Sequence, residues 1–302
     1  MFLWRLIKVN FMKIKNIGFI GLGNMGYYMA KHLVKKKYDV YPYDIRQKNL
    51  NKFNKSTNNK KHNFFNSIGK IDCIILMVPS SKEVKDIIFK EIELFKNLKK
   101  NTIIIDMSTS VPTETLKVGK KLKKRNIKFY DCPVAGGVKF AKTGELTLFF
   151  GGKNSDNEIT KLLNCLGKII WCGKLGSGHT IKALNNFINA SILNTYLEAI
   201  TTAIKFGIKK DYLLNAIDQA TTGKNHPYKK KIKDGILMGK FNSGFTLNLL
   251  TKDVSIANNL IKKYVKNSPI SSNILKLLEK SKIKLGKNSD QLKLYKMWSN
   301  KI

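Results

Sequence analysis

The sequence predicts an α/β fold, a doubly wound sheet followed by an all-α C-terminal domain, with one long helix joining the two. Three observations predict it. A short apolar run, NIGFIG, ends in a glycine-rich turn and passes through a helical segment to a second strand-like run, YDVYPY. Apolar runs and helical segments then alternate up to residue 173, the pattern of a mostly parallel sheet with helices on both faces. Beyond it, no glycine or proline interrupts the chain between Gly178 and Gly207, and nothing later reads as a strand. The expected organisation is an N-terminal extension over 1–13, an α/β domain over 14–175, and a helical domain over 176–302 that includes the long helix 179–206.

Residues 1–13, MFLWRLIKVNFMK, are apolar and basic, and no acidic residue precedes Asp39. That composition suits a mitochondrial targeting segment, with the cytoplasm as the alternative location. From Asn16 the order is strand, Gly21-Leu22-Gly23-Asn24-Met25-Gly26, helix, strand, Asp44. A carboxylate about 20 residues beyond the glycines, in that context, predicts Rossmann-type dinucleotide binding. Gly21 permits a tight turn, Gly23 lets the backbone approach a pyrophosphate, and Gly26 allows the helix to pack closely on the strand. The helix start then faces a dianion. Asp44 favours NAD, because a carboxylate accepts ribose hydroxyls and repels the 2′-phosphate of NADP. Arg46, two residues on, is the group that works against that preference.

Strand-like runs follow at 72–79, 101–108, 127–134, 145–152 and 168–173, with helical segments near 81–97, 112–124 and 155–165. In an open sheet of this kind ligands gather at the carboxyl ends of the strands. In the second half, 211–220, 228–239, 247–266 and 269–283 read as amphipathic helices, interrupted by ATTGKNHPY (220–228) and KFNSGF (240–245).

The long helix repeats apolar residues at Ile181, Leu184, Ile188, Leu193, Leu197, Ile200 and Ile204. It would run roughly 40 Å at the helical rise per residue, long enough to be the spine between two domains. Its polar residues form two stripes. Lys182, Asn185, Asn186 and Asn189 share one face of the first turns, while Asn194, Glu198, Thr201, Thr202 and Lys205 form a second stripe pointing roughly 140° away. The second reads as an ordinary solvent face. The first is then a polar surface turned toward a cleft.

Fifty-six Lys plus Arg against 20 Asp plus Glu give a formal charge of +36. The excess is lysine spread from end to end alongside abundant asparagine and isoleucine, as in a chain encoded by AT-rich codons. Nucleic-acid binders instead concentrate charge and include arginine for base contacts, so no nucleic-acid partner is expected. What remains is a general attraction for anionic small molecules. No apolar run approaches the roughly 18 residues of a membrane span, so no membrane partner is expected. Cys73, Cys132, Cys165 and Cys172 form no CxxC pair and read as buried reduced thiols; no metal site is expected.

Six segments together resemble the β-hydroxyacid dehydrogenase family, most closely its 3-hydroxyisobutyrate dehydrogenase type. They are GFIGLGNMG at the glycine turn, MVPSS (77–81), IDMSTSVP (105–112), DCPVAGGVKFAKTGELTLFFGG (131–152), GSGHTIKALNN (176–186) and GFTLNLLTKD (244–253). The resemblance runs from about residue 16 to the end of the helical domain. It implies hydride transfer from a small 3-hydroxy acid to NAD, giving the semialdehyde. It makes Lys182 the catalytic lysine and places the substrate against Ala135, Gly136, Gly137, Asn185 and Asn186. It adds Val78, Pro79, Thr109 and Lys252 to the cofactor contacts of Gly21 through Gly26 and Asp44, with Lys252 and Asp253 in the motif that closes the cleft. A homo-oligomer, dimer or tetramer, is expected.

One position departs from the family, which carries serine where this chain has Ala135. The missing hydroxyl costs about 1 kcal/mol of substrate binding or more and puts substrate identity in question more than reaction type. The roles are chemically coherent. Hydride leaves a carbon readily only as the hydroxyl proton is removed, so a base within reach is needed. Desolvation and the positive end of the helix dipole both push Lys182 toward its neutral form. The alternatives are an NADPH-dependent glyoxylate or succinic semialdehyde reductase of the same family, against which Asp44 counts, and a non-catalytic dehydrogenase-like module, against which Lys182 counts. A phosphogluconate dehydrogenase would need a much longer helical domain.

Overall fold

The computed structural model describes residues 13–58, 63–92, 94–152, 157–219, 232, 234–265 and 267–299. Apart from Lys13, the expected extension 1–13 lies outside them. The chain divides into two compact units, Met1–His179 and Thr180–Ile302.

In the first unit, β1 (Asn16–Ile20), β2 (Asp39–Tyr43), β3 (Cys73–Leu76), β4 (Ile103–Asp106) and β5 (Lys128–Asp131) pair in parallel in the order β2-β1-β3-β4-β5. Runs such as CIIL and IIID are apolar on both faces because both faces are covered. Cys73, Ile75, Ile103 and Ile105 enter one core, and Ile74, Leu76 and Ile104 enter the other. Strand β1 lies between β2 and β3, so the chain reverses direction across the sheet at the β1/β3 boundary. That boundary is where an open α/β sheet opens a crevice beyond its carboxyl ends.

The helices are α1 (Gly26–Lys35), α2 (Gln47–Thr57), α3 (Ser81–Asp86), α4 (Leu94–Asn97), α5 (Pro112–Lys123), α6 (Gly137–Thr143) and α7 (Asn157–Asn164). The segment expected as one helix over 81–97 is α3, a π turn (Ile87–Glu91) and α4. Neither α2 nor α6 was expected. In α2 only Leu50 and Phe53 carry an apolar signal amid lysine and asparagine, and Phe53 alone is fully buried.

The far edge of the sheet departs from parallel pairing. Strand β7 (Leu146–Gly151) runs antiparallel to β5 and to the two-residue β6 (Val134–Ala135), and parallel to β8 (Gly167–Gly173). A parallel return needs a crossover of about a dozen residues or more. Here the chain spends those residues on β6 and α6 and turns back instead. Among the described residues strand β8 pairs only with β7, and it leaves Ile170 and Trp171 exposed. Of the cysteines expected to be buried, Cys73 and Cys132 are, whereas Cys165 and Cys172 are partly buried; all four are free.

The long helix is α8 (Ser177–Phe206), 30 residues, and the division between units falls within its first turn. In the second unit its Ala190, Leu193, Leu197 and Ile200 share a core with residues of α10 (Leu247–Tyr264) and α11 (Pro269–Leu285), among them Leu250, Val254 and Leu278; α9 (Lys210–Gln219) precedes these two. The start of α10 is capped by the Thr246 hydroxyl, which accepts the Leu249 N–H at 3.3 Å. Asp290 ties down Gly244 and Leu292 by their N–H groups. Residues 228–231 and 233 of the helix expected over 228–239 lie outside the described residues, and its end is a 3-10 turn (Ile236–Met238).

Burial corrects one reading of α8. The stripe expected to face solvent is split, since Asn194 is 2% and Thr201 6% exposed while Glu198, Thr202 and Lys205 are exposed. Asn194 donates its amide to the Ala190 carbonyl one turn back, at 2.7 Å, while its buried Oδ1 has no hydrogen-bond partner among the described residues. Conversely, Ile181 and Ile188 of the apolar series are exposed. Helical spacing identifies a helix without saying which of several apolar faces is covered.

Candidate active site

The glycine loop after β1 is built to approach something. Gly21 donates its N–H to the Tyr43 carbonyl at 2.8 Å. It sits at φ +97°, where a Cβ would come within 2.3 Å of the Met77 carbonyl oxygen, so only glycine fits the turn. A Cβ on Gly26 would lie 1.9 Å from the Gly21 oxygen, the close contact of helix on strand. Gly23 is different, because a Cβ there would meet nothing within 4 Å. The protein's own packing does not require that glycine, so the open space is what it preserves. The N–H groups of Gly23, Asn24 and Met25 take no partner among the described residues, and they precede α1. Unsatisfied donors at a helix start, beside a cradle that a side chain would fill, fit the pyrophosphate of a dinucleotide.

Asp44 stands at the carboxyl end of β2 and braces this loop. Its Oδ2 accepts the Leu22 N–H at 2.7 Å and its Oδ1 the Arg46 N–H at 2.8 Å. Each oxygen keeps a further lone pair for a ribose hydroxyl. Val78 and Pro79 follow β3, and Thr109 follows β4. The sheet therefore brings the cofactor candidates of the first unit together along the carboxyl ends of β1 to β4. Val78 donates its N–H to the Ser108 hydroxyl at 3.0 Å, joining the last two of these loops.

Ala135 ends β6 beside Thr147 in the β7 register, and the two glycines after it take φ +117° and +72°. Gly136 is enforced by crowding, since a Cβ would press on Phe140 at 2.9 Å. Gly137 has open space around its missing Cβ, as Gly23 does. The loop thus presents exposed backbone where the family resemblance expects a substrate carboxylate.

In the second unit, Lys182 and Asn186 lie one turn apart on α8, with Lys252 and Asp253 on α10. Asn186 is buried and donates its amide to Asp253 Oδ2 at 2.6 Å. Asp253 is 2% exposed; its other oxygen has no hydrogen bond and faces Lys252 Nζ at 3.4 Å. Lys182 is partly buried, and burial pushes its ammonium below the ordinary lysine value. The Asp253 carboxylate pulls it back up and the Lys252 charge pushes it down. Because α8 begins at Ser177, Lys182 sits in the second turn, where the helix dipole has largely faded. Asn185 lies beside this group, its amide 3.4 Å from the Asn186 oxygen.

A family profile described as the NAD binding domain of 6-phosphogluconate dehydrogenase matches residues 16–173. A second, described as the NAD-binding domain of NADP-dependent 3-hydroxyisobutyrate dehydrogenase, matches residues 176–298. The chain is 32% identical over 251 residues to a probable mitochondrial 3-hydroxyisobutyrate dehydrogenase of Dictyostelium discoideum, covering 80% of this chain and 78% of that one. The chain belongs to the β-hydroxyacid dehydrogenase family. A 2-(hydroxymethyl)glutarate dehydrogenase of Eubacterium barkeri is 30% identical, with 80% of each chain covered. A solved 3-hydroxyisobutyrate dehydrogenase of Mycobacterium tuberculosis, with L-serine, has the same fold at a TM-score of 0.83, with 24% identity over 94% of this chain and 99% of that one. As a member of this family the protein is an NAD(P)-linked oxidoreductase acting on a CH–OH group.

Three buried polar residues of this β-hydroxyacid dehydrogenase carried no signal in the sequence. Asp106, Asp131 and His179 are each at most 1% exposed and stand together at the ends of β4 and β5 and the start of α8. Only the quoted segments IDMSTSVP, DCPVAGG and GSGHTIKALNN contain them, and nothing in the spacing of 106, 131 and 179 says that they meet. A surface depression of about 400 Å³, lined by Asn101, Lys123, Lys128 and Leu175 among others, opens near the amino ends of β4 and β5 and contains none of the site candidates. Among the described residues no helix is long and apolar enough to cross a membrane, and no cluster of His, Cys, Asp and Glu is suited to a metal ion.

Proposed function

We propose that this protein oxidises a small 3-hydroxy acid resembling 3-hydroxyisobutyrate to its semialdehyde, with NAD as the preferred cofactor. The observation that carries the reading is Lys182, a lysine whose burial favours the neutral form, on the same helix face as an Asn186 already aimed by Asp253. A lysine whose ammonium is disfavoured is more readily available as a base than one in water at neutral pH.

In this reading Gly21 through Gly26 and the start of α1 bind the pyrophosphate, Asp44 binds the adenosine ribose, and Val78, Pro79, Thr109 and Lys252 complete the cofactor site. When bound, the nicotinamide supplies the hydride acceptor. Lys182 removes the hydroxyl proton as the carbinol carbon is oxidised. Asn186, with Asn185 beside it, holds the hydroxyl side of the substrate, and at Ala135 the loop offers its carboxylate the backbone N–H groups that follow, those of Gly136 and Gly137. The lysine must return its proton to solvent before the next turnover. The 3-hydroxyisobutyrate and 2-(hydroxymethyl)glutarate dehydrogenases among the relatives support a substrate with a hydroxymethyl group near a carboxylate.

A second reading, NADPH-dependent reduction of a semialdehyde, draws on Arg46, exposed two residues beyond Asp44, and on the NADP-dependent description of the second family profile. A homo-oligomer is proposed on the exposed apolar residues of the second unit, including Ile188, Phe206 and Ile283. Mitochondrial location is supported by the naming of the relatives, with the cytoplasm as the alternative. Assaying a panel of 3-hydroxy acids and their semialdehydes with both cofactors tests the proposal. Turnover of hydroxymethyl carboxylates with NAD is expected. Activity only in the reductive direction with NADPH would favour the second reading.

A further inference from the structure

His179 has no role in the reaction as proposed, yet its ring is fully buried between two buried carboxylates. Asp106 and Asp131 close β4 and β5 and stand opposite each other in the parallel register. The ring nitrogens Nε2 and Nδ1 lie 3.7 Å from Asp106 and 3.7 Å from Asp131. The same nitrogens meet the Ser108 carbonyl at 3.1 Å and the Thr115 hydroxyl at 2.8 Å.

Each group around the ring holds a different segment. Asp106 accepts the Ser108 N–H at 2.9 Å and the Ser110 hydroxyl at 2.8 Å. The Ser108 hydroxyl accepts the Val78 N–H, and Ser81 accepts the Val111 N–H at 2.6 Å. Asp131 accepts the N–H groups of Gly176 at 2.6 Å and His179 at 2.8 Å. Burial pushes the Asp131 carboxyl up, while His179 and the two N–H groups pull it back. An apolar side chain would fill the same space and leave the carboxylates their N–H and hydroxyl donors, but it would take away the polar ring that lies between them and leave the Ser108 carbonyl without the ring as donor. The ring therefore joins the loops after β3 and β4, the end of β5 and the first turn of α8, and Lys182 follows three residues later on that helix.

We propose that His179 is a positioning residue, which through Ser108 and Thr115 holds the loop carrying Thr109 in the arrangement that hydride transfer requires. Its catalytic meaning rests on the function proposed above; its structural content does not. His179→Leu and His179→Gln in the full chain test it. The Leu variant is expected to lower kcat by about tenfold or more while KM for the hydroxy acid stays within about twofold, because misplacement acts on the transition state. The Gln variant, whose amide still donates to the Ser108 carbonyl, is expected to recover most of that loss. Parent-level kcat in the Leu variant, or equal loss in both, overturns the proposal.

Hydrogen–deuterium exchange gives a readout without substrate. The amides of Ser108 and Val111 should exchange faster in the Leu variant than in the parent or the Gln variant, and unchanged exchange overturns the proposal even if no hydroxy acid is turned over. Should the Leu variant fail to fold, Thr115→Val removes one partner of the ring and should lower kcat severalfold with faster exchange at the same amides; parent behaviour in both readouts overturns it.

Discussion

Asn186 donates its side-chain amide to Asp253 at 2.6 Å, so an amide on α8 is aimed by a carboxylate buried on α10. The same carboxylate raises the proton affinity of Lys182. Asp253 thus acts on both candidate catalytic groups of the second unit, and the two effects can be separated. Asp253→Asn should lower kcat by about tenfold through loss of the Asn186 alignment. It should also move the rising limb of the pH–rate profile to lower pH, since removing a negative charge disfavours the ammonium. A limb that stays in place would mean that Asp253 does not act on Lys182.

Lys182→Ala should lower kcat by about a hundredfold or more, with NAD binding nearly intact, because a base acts in the transition state. In the parent the rate should rise with pH as the lysine loses its proton, over a range below the ordinary lysine value of 10.5. That limb should vanish in the variant. Lys182→Arg should not rescue, since a guanidinium stays protonated. Near-normal turnover in either variant, measured by steady-state absorbance of the reduced cofactor, would remove Lys182 from the mechanism.

Ala135 ends β6, and the family resemblance expects a serine hydroxyl at this position. Ala135→Ser should lower KM for a 3-hydroxy acid severalfold with little change in kcat, as expected for an added ground-state hydrogen bond. An unchanged or higher KM would show that Gly136 and Gly137 read the carboxylate by backbone alone.

Asp44 predicts at least about a tenfold preference for NAD in kcat/KM, or roughly 1.4 kcal/mol. The two Asp44 oxygens already accept backbone N–H groups from Leu22 and Arg46, which keeps the carboxylate pointed at the loop. Comparing NAD and NADP at equal substrate checks the preference. If NADP is used equally well, Arg46→Ala should lower kcat/KM for NADP selectively.

The glycine loop was legible because each of its constraints is local. Gly21 answers to its own φ and Gly26 to the packing of the helix that follows, so spacing along the chain carries the information. The long helix was legible for the same reason, since its hydrogen bonds are internal and its limits are marked by Gly176 and Gly207. The β7 edge was not, because whether a strand returns parallel or antiparallel depends on what the intervening residues do. There they formed β6 and the seven-residue α6, which Gly136 before it and Gly137 at its start made look like loop.

Local pattern thus accounts for which segments are strands and helices, for the nucleotide loop with its acidic partner, and, through the family's motifs, for Lys182 and Asn186. Burial and meeting of distant groups are another matter. Asn194 and Thr201 read as solvent-facing and are buried, while Ile188, one of the apolar residues whose spacing marked the helix, is 53% exposed. Asp106, Asp131 and His179 are separated by 25 and 48 residues and meet only because β4 and β5 pair in register and α8 starts beside them. Hydrogen bonds along one helix or turn are set by neighbours in the chain, whereas the cost of burying a charge is offset by partners that only the assembled sheet supplies.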